Sequence, residues 1–147
     1  MTFSAIGLFH PKSDINVGSA LRAAYCYEAS LVVLCGQRVV RAKTDTMGAS
    51  YHIPVIRTDT PEDFHKSIPF GAVPVAVDLL EGATALQDYE HPKNAFYIFG
   101  PEDGTLGTKV TSWCRDTIYV PTRSCMNLAA TVNVVLYDRK AKQLRKS

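Results

Sequence analysis

The sequence predicts an α/β domain in which a mostly parallel sheet is covered by helices on both faces. Short apolar runs alternate with segments of helical periodicity along the chain, which is typical of this fold class. The length of 147 residues corresponds to one ordinary domain. A composition with 46% hydrophobic and 20% charged residues is that of a soluble globular protein with one core.

Strands and helices alternate in the first half of the chain. Phe3 to Phe9 is short and apolar, and it predicts a buried strand. Apolar residues recur at helical spacing from Val17, so a helix is predicted there with Asp14 or Asn16 as its N-cap. The next predicted elements are a strand at Leu31 to Leu34, a short helix within Arg38 to Ser50, an edge strand at Ile53 to Ile56 and a helix at Pro61 to Ile68 capped by Thr60.

The second half continues this alternation and places polar loops after its strands. The predicted strands are Val73 to Leu80, Ala95 to Phe99 and Thr117 to Val120, with a polar connection at Leu86 to Lys93 and a short helix around Gly107 to Cys114. The polar loops are Asp78 to Gly82, Gly100 to Gly107 and Pro121 to Asn127. Because the carboxyl ends of parallel strands meet at one edge of a sheet, the three loops predict a single ligand cleft.

The last stretch, Val120 to Arg139, runs from a polar loop directly into a helix. Asn127 stands where an N-cap would accept the first free backbone N–H groups. One helical face carries Leu128, Val132, Val135 and Leu136. Such helix starts suit ligands with acceptor atoms, although an ordinary capped turn uses many of the same residue types. Both interpretations remain open for this stretch alone.

Several classes of protein are not indicated by the sequence. No apolar run approaches the roughly 18 residues of a membrane span, and the N-terminal stretch lacks the features of a signal peptide, so a cytoplasmic location is expected. The cysteines form no CxxC pair and the four histidines are scattered, so neither a disulfide framework nor a metal site is expected. The four cysteines are Cys26, Cys35, Cys114 and Cys125.

The charge pattern gives a weak indication of a polyanionic partner. A net charge of +2 is too small to indicate nucleic acid by itself. A local basic cluster lies at the end of the sequence and consists of Arg139, Lys140, Lys142, Arg145 and Lys146. This cluster could contact phosphate, but basic residues at this position also suit the negative end of a helix dipole. The two interpretations are left open.

Three segments together resemble a known family. NVGSALR at Asn16 to Arg22, GPEDGTL at Gly100 to Leu106 and SCMNLAATVNVVLYDR at Ser124 to Arg139 have the order and spacing of the three motifs of the SpoU branch of the SPOUT family, the knotted RNA ribose methyltransferases. MGASYHIPV at Met47 to Val55 and AVDLLEGATAL at Ala76 to Leu86 resemble the connecting segments of that family. The resemblance therefore covers nearly the whole chain.

The resemblance implies a fold, a cofactor and partners. It implies a C-terminal deep trefoil knot, a rare exception to the rule that chains do not knot. It also implies one domain over residues 1–147 without a separate RNA-binding extension, S-adenosylmethionine as cofactor, and a homodimer with its site near the subunit interface. The expected partner is RNA, most simply tRNA. By resemblance the cofactor-binding residues are Asp78, Leu79, Gly100, Glu102, Val120, Pro121, Cys125, Met126, Asn127 and Leu128.

The resemblance also implies that Arg22, Asn16, Glu102 and Asn127 serve catalysis of methyl transfer to a ribose 2'-hydroxyl. Arg22 either becomes neutral and takes the hydroxyl proton or stays charged, grips RNA phosphate and stabilises the developing alkoxide, and the second role is physically easier. An exposed surface arginine is the simpler alternative. Glu102 is predicted to organise its loop by accepting hydrogen bonds from the backbone or from Asn16. Asn127 is predicted both to cap its helix and to fix the cofactor loop.

Two departures from the family pattern affect the expected specificity. Many relatives have serine where this chain has Cys125, and many have arginine then glycine where it has Gly104 and Thr105. A cysteine still packs and donates weakly, so cofactor binding is expected to survive, whereas RNA specificity is expected to differ. The alternative function is a catalytically silent RNA-binding homodimer, against which the presence of all four catalytic candidates argues.

Overall fold

The structure is a computed structural model and describes residues 2–36, 38 and 52–147. Its strands are β1 (Phe3–Phe9), β2 (Leu31–Cys35), β3 (Val55–Thr58), β4 (Val73–Val77), β5 (Thr84–Ala85), β6 (Asn94–Phe99) and β7 (Asp116–Tyr119). Its helices are α1 (Asp14–Cys26), α2 (Pro61–Lys66), α3 (Thr108–Thr111) and α4 (Leu128–Lys146), with a 3-10 turn at Leu86–Asp88. The short helix predicted within Arg38 to Ser50 lies outside the described residues, apart from Arg38 itself.

The described strands form one parallel sheet in the order β3-β2-β1-β6-β4-β7-β5. β6 lies at its centre and pairs in parallel with β1 on one side and β4 on the other. β3 is an edge strand, as the proline in this segment predicted, although it begins two residues later than expected. The α/β fold class with a parallel sheet is therefore confirmed. The trefoil knot stays a prediction.

Helices cover both faces of the sheet because side chains along each strand alternate between two cores. Ile6 and Leu8 pack with α1 and α4 on one face. Ala5 and Phe9 pack on the other face with α2 and α3, which contribute Phe64 and Val110 among other residues. A Cβ at position 7 would lie 2.5 Å from Cζ of Phe64, so only glycine at this point of β1 leaves room for that ring.

Helix α1 begins earlier than the sequence pattern indicated, and neither Asp14 nor Asn16 is its N-cap. Ser13 has extended backbone dihedrals, and its side chain accepts a hydrogen bond from the backbone N–H of Asn16 at 3.3 Å. Serine is as good a cap as either predicted residue, so local propensity could not choose between them. Because Ser13 serves the helix end, the side-chain amide of Asn16 is available for other partners.

Two strand predictions needed correction at the edge where the strands end, which we call the carboxyl edge. The strand expected to reach Leu80 stops at Val77, because the carboxylate of Asp78 accepts the backbone N–H of Leu79 at 2.9 Å and turns the chain there. The two-residue strand β5 was not predicted.

The caps at Thr60 for α2 and Asn127 for α4 are confirmed by their side-chain hydrogen bonds.

The second half of α4 is fastened at the opposite edge, the amino edge, where β1 and β6 begin. Arg139 is only 5% exposed. Its guanidinium donates to the carbonyl oxygens of Pro92, Phe3 and Lys93 at 2.7, 3.1 and 2.8 Å, and to the hydroxyl of Tyr97 at 3.1 Å. Arg139 therefore ties α4 to the start of the sheet and does not face solvent.

A second buried group, His91, extends this amino-edge network. Its ring nitrogens lie 2.7 Å from the Tyr97 hydroxyl and 2.8 Å from the Asp138 carboxylate. Lys142 forms an ion pair with Asp138 at 2.7 Å. It also donates to the carbonyl oxygens of Leu86 and Tyr89, in and directly after the 3-10 turn. Burial lowers the pKa of His91, against the opposing influence of Asp138, and raises the pKa of Tyr97 to about 12.

The interpretation of the terminal basic cluster as one phosphate-binding patch is wrong for two of its members. The side chains of Arg139 and Lys142 already bind carbonyl and carboxylate oxygens at the amino edge, through hydrogen bonds and an ion pair. Lys140 and Lys146 reach carboxylates at the surface at 3.3 and 3.4 Å, and Arg145 is exposed. Most of this cluster therefore fastens the helix.

All four cysteines are free thiols. Among residues 2–36, 38 and 52–147, no group of three or more metal-binding side chains comes together. In the same part of the chain, no helix has the length and apolar character needed to cross a bilayer.

Candidate active site

A cavity of about 820 Å³ opens at the carboxyl edge, beyond the ends of β4, β6 and β7. The three polar loops predicted to form one cleft all contribute to its wall. All ten residues assigned to the cofactor by resemblance line it: Asp78, Leu79, Gly100, Glu102, Val120, Pro121, Cys125, Met126, Asn127 and Leu128. Asn16 from α1 lines it as well. The structure thus brings together residues that are up to 112 positions apart in the sequence.

Glu102 holds the glycine-rich loop against the start of α1. One carboxylate oxygen accepts the backbone N–H of Lys12 at 3.0 Å, and the other accepts the backbone N–H of Ser13 at 3.0 Å and the side-chain amide of Asn16 at 2.9 Å. Burial alone would raise the pKa of Glu102, but these hydrogen bonds hold it below its ordinary value. The predicted hydrogen bonds from the backbone and from Asn16 are both present.

Asn16 and Asn127 connect the first helix to the last one. The amide nitrogen of Asn127 donates to the side-chain oxygen of Asn16 at 2.7 Å, and its own side-chain oxygen accepts the backbone N–H of Ala130 at 3.1 Å. Glu102, Asn16 and Asn127 therefore form one continuous chain of hydrogen bonds. A carboxylate at its start fixes which end of each amide is the donor.

Asp78 connects the loop after β4 to the glycine-rich loop after β6. Its second carboxylate oxygen accepts the backbone N–H of Leu106 at 3.2 Å. Gly100 lies against Leu106. A Cβ at position 100 would come within 3.3 Å of the backbone nitrogen and side chain of Leu106. A side chain at position 100 would therefore push Leu106 away from Asp78 and change the wall of the cavity.

Arg22 is the one catalytic candidate that does not line the cavity. It lies in the second half of α1 and is exposed, whereas Asn16 lies in the first turn of that helix. Within a single chain, Arg22 therefore does not reach the cavity that Asn16 lines. A catalytic role for Arg22 stays a prediction.

An ion pair that the sequence did not indicate supports the rim of the glycine-rich loop. The guanidinium of Arg38 binds both carboxylate oxygens of Asp103, at 3.0 and 3.2 Å, and also donates to the carbonyl of His10. The Arg38 hydrogen bonds hold the pKa of Asp103 below its ordinary value. Both side chains are more than 40% exposed, so this pair orients the loop next to Glu102 more than it stabilises the fold.

Several cavity residues were not assigned a role from the sequence. Thr122, Arg123 and Ser124 line the cavity from the loop between β7 and α4. The density of small polar residues in this loop was a usable signal, but it did not separate residues that shape the turn from residues that contact a ligand. Tyr119 and Thr131 complete this side of the wall.

The geometry suits a partly apolar organic ligand with a few polar groups. The volume lies within the roughly 300 to 1,000 Å³ that small-molecule sites occupy. Val77, Phe99 and Leu128 supply apolar wall, and the two carboxylates of Asp78 and Glu102 give the lining a negative contribution that favours a cationic ligand group. Within the described residues the lining contains neither a histidine nor a metal cluster.

Comparison with known proteins identifies the family. The sequence model of the SpoU rRNA Methylase family matches residues 4–137. No curated protein sequence matches the chain. Among solved structures, the SpoU methyltransferase AviRb from Streptomyces viridochromogenes, in complex with the cofactor AdoMet, superposes with a TM-score of 0.85 at 20% identity, covering 98% of this chain and 62% of that one.

This chain covers a larger share of two further solved structures. The TrmH/SpoU tRNA modifying enzyme of A. aeolicus superposes with a TM-score of 0.85 at 14% identity, covering 99% of this chain and 78% of that one. A protein whose structure gives insights into the 2-OH methylation of C/U34 on tRNA has a TM-score of 0.82 at 20% identity, covering 98% and 92%. The chain spans about three fifths of AviRb. Since the family match runs over residues 4–137, this chain belongs to the SpoU rRNA Methylase family.

Proposed function

We propose that this chain is an S-adenosylmethionine-dependent RNA methyltransferase that methylates a ribose 2'-hydroxyl, with tRNA as its substrate. The observation that carries the proposal is the single cavity in which all ten residues expected to bind the cofactor meet Asn16. Membership of the family supports an RNA methyltransferase, and the AdoMet complex of AviRb supports the cofactor. The near-complete coverage of a structure concerned with tRNA supports the choice of RNA.

The residues of the cavity fit the proposed cofactor. When bound, S-adenosylmethionine supplies a methyl group on a positively charged sulfonium. The loops after β4, β6 and β7 would hold it through Leu79, Gly100, Val120 and Met126. The carboxylates of Asp78 and Glu102 favour a positive group in the cavity, while Asp78 keeps the apolar Leu106 fixed against Gly100. Alignment of the reacting groups in such a pocket supplies several kcal/mol, up to roughly ten in well-oriented systems.

Glu102 is better suited to position Asn16 than to remove the hydroxyl proton. Its two oxygens already accept three hydrogen bonds, and its lowered pKa makes it a weak base. The Asn16 amide is held between Glu102 and Asn127, so its orientation is fixed before RNA binds. We therefore assign Glu102 and Asn127 as positioning residues and Asn16 as the group that they orient in the cavity.

Arg22 is proposed to act across a homodimer. It is exposed and lies outside the cavity of its own chain, so a catalytic role requires that a second chain or the RNA bring it to the reaction. A charged guanidinium arriving in this way would stabilise the developing alkoxide and contact RNA phosphate.

The role of Arg22 can be tested by mixing two inactive variants. Arg22→Ala and Asn16→Ala are each expected to lose nearly all activity as homodimers. If Arg22 acts on the partner's cavity, unfolding and refolding the two variants together restores about a quarter of the wild-type activity, because half of the dimers then contain one intact site out of two. If the mixture stays inactive although mixed dimers form, Arg22 does not act across the interface.

The proposed function is tested by cofactor binding followed by product analysis. Calorimetry with S-adenosylmethionine is expected to show one site per chain. Mass spectrometry of nucleosides from tRNA and from ribosomal RNA treated with the protein is expected to show a 2'-O-methylated nucleoside in tRNA alone. If a methylated ribose appeared only in ribosomal RNA, the substrate would be ribosomal RNA and not tRNA. Cofactor binding with no methylated ribose in either RNA would favour the silent RNA-binding homodimer.

A further inference from the structure

Arg123 occupies a distinct place in the wall of the cavity. It lies in the bend between β7 and α4, is exposed and lines the cavity. The hydroxyl of Thr122 donates to the carbonyl of Ser124 at 2.7 Å, so the two neighbours close a tight turn with Arg123 at its tip. This hydrogen bond spans Arg123 and restrains the backbone on both sides of an exposed side chain that lines the cavity.

The other charged groups of the lining do not neutralise Arg123. The charged side chains of the described lining are Asp78, Glu102 and Arg123. Asp78 is engaged by two backbone N–H groups and Glu102 by two backbone N–H groups and one amide. In the described part of the chain, no hydrogen bond or ion pair engages the guanidinium of Arg123. Its five N–H donors are therefore available to a ligand.

The chemistry of a guanidinium at this position selects an oxyanion as its ligand. A planar guanidinium binds the two oxygens of a phosphate in a bidentate manner. If the chain acts on RNA, as proposed above, a ribose that enters the cavity has a phosphodiester on each side, and these phosphates stay at the mouth in contact with solvent. An exposed arginine at the tip of a fixed turn matches that arrangement.

We propose that Arg123 binds a phosphate next to the ribose that is methylated and thereby sets the position of the RNA chain over the cavity. This inference rests on the proposed function, because the phosphate belongs to the RNA substrate. It makes Arg123 a specificity-determining residue of the β7–α4 loop. A carboxylate of the bound cofactor is a second possible source of the oxyanion, and the experiment separates the two.

The experiment compares Arg123→Gln and Arg123→Lys with a control that removes an equal charge elsewhere. Lys93→Gln is that control, because Lys93 is exposed, does not line the cavity and lies directly before β6 at the amino edge. For each protein, the affinity for unfractionated tRNA is measured at several salt concentrations, and the affinity for S-adenosylmethionine is measured by calorimetry without RNA.

Arg123→Gln is expected to weaken tRNA binding about tenfold at low salt and to reduce the slope of log affinity against log salt by about 0.7 to 1, with cofactor affinity within about twofold of wild type. Arg123→Lys is expected to keep the slope but to lose part of the affinity, because a point charge cannot bind in a bidentate manner. Lys93→Gln is expected to change neither quantity by more than about twofold.

Three results would overturn the inference. Weaker cofactor binding by Arg123→Gln with an unchanged salt slope would assign the guanidinium to the cofactor carboxylate. Equal effects of Arg123→Gln and Lys93→Gln would show that Arg123 acts only as general surface charge. Failure of the wild-type protein to bind tRNA at all would overturn the proposed function, and the inference with it, and this failure is seen before any variant is made.

Discussion

Two polar networks hold the start and the second half of helix α4, and they differ in exposure and in purpose. At the carboxyl edge, Glu102, Asn16 and Asn127 form an open chain of hydrogen bonds beside the cavity. At the amino edge, the guanidinium of Arg139 is buried and directs its donors at three backbone carbonyls and at Tyr97. The same helix is thus fixed by accessible groups where it begins and by inaccessible groups farther along.

The difference shows that polar density alone does not identify a functional site. A buried charged group costs several kcal/mol of desolvation and persists only when its hydrogen bonds are complete, so its removal acts on folding. An exposed network keeps its contact with water, so it loses little solvation free energy on folding and contributes little to stability. Its rigid geometry is better explained by the ligand that it positions. We therefore expect variants at the amino edge to change stability and variants at the carboxyl edge to change activity.

The largest expected effect is that of Arg139→Met, which keeps the apolar stem and removes the guanidinium. Three carbonyl oxygens and a tyrosine hydroxyl lose a charged donor, and the free energy of unfolding is expected to fall by about 3 to 5 kcal/mol. Chemical denaturation measures it. Arg145→Met is the matched control and is expected to change it by less than about 0.5 kcal/mol. A loss below about 1 kcal/mol for Arg139→Met would mean that burial does not distinguish the two networks.

The next largest effect is expected for Asn16→Ala on catalysis. Loss of the amide breaks the link between Glu102 and Asn127 and is expected to reduce methyl transfer at saturating cofactor about 100-fold, equivalent to about 2.7 kcal/mol. The free energy of unfolding is expected to change by less than about 1 kcal/mol. Rates measured on folded protein separate the two quantities.

Ser13→Ala is the control for Asn16→Ala, because Ser13 caps the same helix without lining the cavity. It is expected to reduce stability by about 1 kcal/mol and to keep most of the activity. The opposite pattern, with Ser13→Ala inactive and Asn16→Ala active, would show that the helix start matters to catalysis only through its stability.

A smaller effect is expected when pH is lowered, and it belongs to the amino edge. Burial lowers the pKa of His91 in the folded protein, so between the unfolded value near 6.5 and the lower folded value the unfolded chain binds more protons. Stability is therefore complete above about pH 6.5 and falls as the solution becomes more acidic, by at most about 1.4 kcal/mol per pH unit from this group.

The groups that face His91 are Tyr97, Tyr89, Asp138, Lys142 and Arg139. Denaturation of wild type and His91→Gln between pH 5 and pH 8 isolates the contribution of His91, since the other groups are common to both proteins. A smaller dependence on pH in His91→Gln is expected. An equal dependence in the two proteins would show that His91 does not govern acid stability.

The smallest effect is expected for Cys125→Ser at the carboxyl edge. Cys125 is exposed in the cavity wall, and within the described residues it takes no part in the Glu102–Asn16–Asn127 chain. Serine restores the residue that many relatives have, and cofactor affinity measured by calorimetry is expected to change by less than about threefold. A change above tenfold would show that this departure from the family pattern alters the cofactor site itself.

The sequence was sufficient to predict the fold class and the three loops that meet at the carboxyl edge, because these depend on local periodicity and on the geometry of parallel sheets. It was insufficient for contacts that depend on distant packing. No spacing in the sequence indicates that Arg139 lies beside the carbonyl of Phe3, and a run of basic residues near it favoured a surface patch. Likewise, the guanidinium of Arg123 can bind a ligand because the carboxylates of Asp78 and Glu102 already accept backbone N–H groups.

The hydrogen bond from Arg139 to the Phe3 carbonyl also has a consequence for folding kinetics. It joins residues 136 positions apart, and it can form only after β1 and β6 have paired and α4 has docked. Contacts of such high sequence separation require closure of a long loop and tend to form late, after the transition state. We therefore expect Arg139 to govern mainly the rate of unfolding, so that the amino edge determines how long the folded chain persists rather than how quickly it is reached.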